Sequence, residues 1–177
     1  QAPTATAAKA AVTLHIAAQW PLGGSGGWDL LTLDTRRPRL FLTRGDRIEV
    51  VDTRSGKLLA SIPGTAGVHG VALAPGLQRG YSSNGRTNSV TAFDLRTLQV
   101  IAEVPVPGVN PDVILYVPRR RELITFNGGS SDATVFDARS LKVVATIALP
   151  GKPEFAAIDD GGRLYVNIES EPGQIAV

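Results

Sequence analysis

The chain has 177 residues, 43% hydrophobic and 19% charged, the balance of a globular domain with its own core rather than of a disordered chain. A formal net charge of +2 is no dense basic surface and gives nucleic acid little support as a partner. With no cysteine there can be no disulfide, thiolate nucleophile or Cys-ligated metal, and no apolar run approaches the length of about 18 residues that would suggest membrane insertion.

Residues 1–11 begin with Gln1-Ala2-Pro3-Thr4-Ala5-Thr6-Ala7-Ala8, and the sequence contains no Met. This reads as the start of a mature chain after removal of a signal peptide, followed by a flexible tether of small residues. Residues 12–22 carry Leu14–Leu22 (LHIAAQWPL), which matches Leu98–Val106 (LQVIAEVPV) and Leu141–Leu149 (LKVVATIAL). The match predicts a β-strand that would pack His15 in a sheet. Gly23-Gly24-Ser25-Gly26-Gly27 then reads as a connection, since no Lys-Ser/Thr follows to make a phosphate loop.

Three near-copies follow: VVDTRSGKLLASI from Val50, AFDLRTLQVIAEV from Ala92 and VFDARSLKVVATI from Val135. Their aspartates, Asp52, Asp94 and Asp137, stand 42 and 43 residues apart, a period that marks a repeat architecture. The third unit shows the internal order. Asp112–Val117, Glu122–Phe126, Ala133–Phe136 and Leu141–Leu149 are short β-rich runs. Arg119-Arg120-Arg121, a Gly/Ser turn and the DARS turn separate them. That is an antiparallel four-stranded meander, the size of one β-propeller blade. Blades are expected at 28–67, 68–110 and 111–153, with an incomplete one at 154–177. The repeated aspartates read as turn residues that accept backbone N–H groups, and Asn84 and Asn127 as turn residues at strand ends.

The second strands carry Phe41-Leu42-Thr43-Arg44, Tyr81-Ser82-Ser83-Asn84, Ile124-Thr125-Phe126-Asn127 and Tyr165-Val166-Asn167-Ile168. Together these resemble the Tyr-Val-Thr-Asn signature of the YVTN-repeat β-propellers, the YncE-like bacterial exported proteins, over about residues 12–177. The resemblance implies an all-β fold of four-stranded antiparallel blades, about half of a seven-bladed ring. It also implies a periplasmic or extracellular location. On this reading the N-terminal strand closes the last blade, and the rest of the ring comes from the same or another chain. The rival is an intact four-bladed ring in which Leu14–Leu22 completes the blade at Glu154–Val177.

In a propeller the first strand of each blade starts nearest the axis. Asp29, His69, Asp112 and Glu154 occupy that place in the four units, with Trp28 beside the first. Three carboxylates and an imidazole suit a divalent cation such as Ca²⁺, Mn²⁺ or Zn²⁺, and clustered carboxylates raise one another's pKa. Ordinary turn capping in a water-filled funnel explains the same residues without a ligand. Arg37, Arg79, Arg119, Arg120 and Arg121 sit in loops between first and second strands, where repetition would gather them into a polyanion rim.

No complete catalytic set is present. The first functional reading is therefore an exported non-catalytic module that binds a small ligand or a protein at its axial mouth. The alternative is a metal-assisted propeller enzyme, lactonase-like or quinoprotein-like. A lesser alternative is binding of nucleic acid or an envelope polymer along the arginine rim.

Overall fold

The structure, a computed structural model, describes residues 14–177; the tether predicted over 1–11 lies outside them. The first sheet holds β1 (Leu31–Asp34), β2 (Arg39–Arg44), β3 (Arg47–Asp52) and β4 (Leu58–Ile62). The second holds β5 (Val68–Ala74), β6 (Arg79–Asn84), β7 (Ser89–Asp94) and β8 (Val100–Pro105). The third holds β9 (Pro111–Val117), β10 (Glu122–Asn127), β11 (Asp132–Asp137) and β12 (Val143–Ala148), and the fourth β13 (Pro153–Ile158), β14 (Leu164–Ile168) and β15 (Gln174–Ala176). Each is an antiparallel meander in chain order, the blade that the period and the turns predict.

The blades stack through alternating faces. Within β2, Phe41 turns towards the second blade and packs with Val50, Val71 and Phe93, whereas Leu40 and Leu42 turn the other way. The interface of blades two and three is built on Tyr81, Val90, Leu123 and Phe136, and that of three and four on Ile124, Phe126, Ala156 and Val166. Buried polar bonds cross these interfaces. Tyr81 Oη donates to Ala138 O at 2.6 Å, and Arg39 Nη1 donates to Leu95 O at 2.7 Å. Both acceptors directly follow an Asp of the repeat. Blades one and two thus each reach from the second strand into the next blade's Asp-turn.

The turns are built as their sequence dictates. Asp94 Oδ1 accepts from the backbone N–H of Arg96 (2.8 Å) and Thr97 (2.7 Å), and from the Thr97 hydroxyl. Asp52 and Asp137 do the same with Ser55 and Ser140. The fifth turn residue adopts a left-handed backbone in all three, as Gly56 (φ 69°), Leu98 (φ 61°) and Leu141 (φ 58°). Asn84 and Asn127 do more than end strands. Both are fully buried, and Asn84 Nδ2 donates to Ser89 Oγ and Thr91 Oγ1 on β7.

One predicted strand is absent. Residues 14–22 form no strand, His15 is exposed, and the fourth sheet keeps three strands among the described residues. Instead Ile16, Trp20 and Leu22 lie over Leu40, Leu42 and Val51, on the outer face of blade one. Trp20 covers Gly56, where a Cβ would stand 2.3 Å from its ring. Residues 14–21 are otherwise exposed, and Pro21 has no N–H to give a ladder. Among the described residues Leu14–Leu22 therefore does not complete the sheet of Glu154–Val177.

Candidate functional site

β5, β9 and β13 begin at one end of an axial groove of about 740 Å³, which is walled by β1, β5 and β9. Asp29 leads into β1; its N–H donates to Thr43 O on β2, which fixes it at the same end. His69 is the second residue of β5 and Asp112 the second of β9. The shared register brings these three side chains from three blades together. His69 Nδ1 lies 2.7 Å from Asp29 Oδ2 and 3.9 Å from Asp112 Oδ1. With the hydrogen on Nδ1, His69 donates to Asp29 Oδ2 and Nε2 is left as an acceptor. Space is kept beside that nitrogen, because a Cβ on Gly85 would lie 2.7 Å from His69 Nε2 and nearer still to Asn110 Oδ1.

Asp112 is the least exposed of the three, and its carboxyl is held above the usual range. Burial is the main cause, His69 opposes it, and Glu154 and Asp29 add to it. Glu154 pairs with a cation that the strand-start alignment misses. Lys152 Nζ lies 3.4 Å from Glu154 Oε2 and also pairs with Glu169. That pairing raises the Lys152 pKa, first through the Glu169 hydrogen bond, and lowers that of Glu169. Lys152 and Asn110 stand one or two residues before the strand-start positions, so the sequence presents them only as loop residues.

The other expected site residues are placed differently. Trp28 has Arg44 stacked on its ring at 4.0 Å, and Arg44 in turn pairs with Glu49 at 3.2 Å. No three or more of the described His, Asp and Glu residues group so as to hold a metal ion as they stand. The arginine rim is not one free array. Arg37 Nη1 donates to Leu95 O at 2.7 Å, and Arg79 Nη1 donates to Arg139 O, so both tie neighbouring blades together. Arg120 lies 3.9 Å from Glu122, and Arg119 stays exposed. Arg121 lines a separate pocket.

No protein-family model matches the chain, and no curated protein matches it in sequence. Among solved structures, hydrazine synthase of Kuenenia stuttgartiensis is similar over 78% of this chain, with a TM-score of 0.72 and 20% identity. This chain spans 42% of the length of that one. At such an identity the likeness concerns fold alone, and it supports the blade-like arrangement.

Proposed function

We propose that the protein is a binding module of the YVTN-repeat type that works outside the cytoplasm. Its ligand is a small organic cation, or a basic side chain of a protein partner, held at the axial mouth. The observation that carries this is the convergence of Asp29, His69 and Asp112 from three blades, with Asp112 half-buried. A cationic group seated there gains the carboxylates of Asp112 and Asp29 and can donate to the free nitrogen of His69. It would also lower the raised pKa of Asp112, so binding weakens as the pH falls through that pKa. A metal-assisted enzyme is the second reading. It requires three of these ligands to close on one ion, and in their present places they do not.

Calorimetric titration with 1,4-diaminobutane, and separately with Mn²⁺, tests the two readings. The expected result is saturable diamine binding that is about tenfold weaker in Asp112→Asn, the loss of one charged hydrogen bond. Stoichiometric Mn²⁺ binding that vanishes in His69→Ala would favour the enzyme. Diamine affinity that ignores Asp112→Asn would refute the binding site.

A further inference from the structure

The first strands end, and the strand 1–2 turns lie, at the opposite end of the axial groove. There a second pocket of about 400 Å³ opens between the first three blades. Its apolar wall is Leu73, Leu77 and Tyr116, and its charged edge is Arg36, Arg121 and Arg139. Among the described residues, none of these three guanidinium groups has a carboxylate within ion-pair distance, unlike Arg39, Arg44, Arg47 and Arg120.

The backbone that carries two of them is fixed. Arg121 sits in the left-handed region at φ 55°, a conformation a side chain of this size rarely adopts. It is pinned by its N–H to Pro118 O and by Ala138 N–H to its own carbonyl. Arg139 is fixed through its carbonyl, which accepts from Arg79. Planar guanidinium forks match carboxylate and phosphate oxygens, and the volume is that of a small-molecule site.

We propose that this pocket binds a small organic anion, a phosphate or carboxylate group carried on an apolar body. The anion would lie against Arg36, Arg121 and Arg139, and the body against Leu73, Leu77 and Tyr116. The site is separate from the acidic mouth and does not rest on the cation-binding reading.

The test is calorimetric titration with phenyl phosphate and with inorganic phosphate, using the wild type, Arg121→Gln, Arg139→Gln and Asp112→Asn. All three replaced side chains reach the surface or its edge, and unchanged melting curves check that each variant is folded. Phenyl phosphate should bind about tenfold tighter than inorganic phosphate, and each arginine replacement should weaken it about tenfold. Asp112→Asn should leave it within about twofold, because the two ends lie beyond screening distance. Equal affinity for the two phosphates, or no response to either arginine replacement, would overturn the proposal. So would a single-stranded oligonucleotide that displaces phenyl phosphate at higher affinity and with steep salt dependence, since the surface would then be reading a polymer.

Discussion

Replacing Tyr81 by Phe removes one oxygen from the interface of blades two and three. Tyr81 and Ala138 are both fully buried, and the Tyr81 hydroxyl donates to the Ala138 carbonyl at 2.6 Å. The ring stays, so no cavity of consequence forms, but the carbonyl loses its donor where water cannot replace it. An orphaned buried acceptor costs roughly 1–3 kcal/mol. For a chain of this size each kcal/mol lowers Tm by about 2–4 °C, so a loss near the middle of that range means about 4–8 °C. Urea and thermal unfolding followed by circular dichroism would measure it, with an unchanged urea slope as the sign that only stability moved. Tyr165→Phe is the control, because the Tyr165 hydroxyl bonds to Asp159 near the surface and its loss should stay within about 0.5 kcal/mol. Equal losses in the two variants would refute the claim that the tyrosine-to-Asp-turn bond couples the blades.

At Gly80 an added Cβ would stand 2.2 Å from Cζ of the fully buried Phe93; Gly80→Ala should therefore cost roughly 1–3 kcal/mol through overpacking, whereas Gly76→Ala, with open space around it, should cost little. Asp112→Asn should be more stable than wild type at neutral pH. The raised pKa of Asp112 gives stability that is full below its unfolded value near 3.8 and lost as the pH rises through the folded value, so the gain should grow with pH. Asp94 has the opposite sign. Its carboxyl is held below 3.8, first by the Thr97 N–H and then by the Arg96 N–H, so Asp94→Ala should be destabilising at neutral pH and approach wild type on acidification. Urea midpoints from about pH 3 to pH 8 test both.

The blades were legible because their signals are local. An Asp-x-x-Ser/Thr turn makes its bonds within four residues, and a period of about 42 repeats them, so Asp52, Asp94 and Asp137 reveal the frame without any tertiary knowledge. Bonds between blades are not local. Arg37 and Arg79 look like a solvated rim, yet their acceptors lie 58 and 60 residues away, in a neighbouring blade. Leu14–Leu22 is hard to place for another reason. It copies the fourth strands, but β8 and β12 are the outermost and most exposed strands of their blades, so their apolar residues carry little information about a buried place. A fourth strand exists only if a third strand pairs with it, and here Trp20 finds cover on Gly56 instead. At the axial mouth the register alone brought Asp29, His69 and Asp112 together. Lys152 escaped because loop length, not register, decides where it points.

The net charge of +2 conceals a separation that the meander imposes. Residues at the starts of first strands collect at one end of the groove, and those in the strand 1–2 and Asp-turns at the other. Acidic starts and arginine-bearing turns therefore sort to opposite mouths without any single blade being strongly charged. From Asp29 to Asp34 an extended strand spans roughly 17 Å. That is about twice the screening length at physiological salt, so the two ends should act independently. The combined Asp112→Asn and Arg121→Gln variant should then show the sum of the single effects on stability, within about 0.5 kcal/mol. A larger departure would mean that the groove couples its two mouths through packing, with Val71, Ile114 and Tyr116 along its wall as the first residues to question.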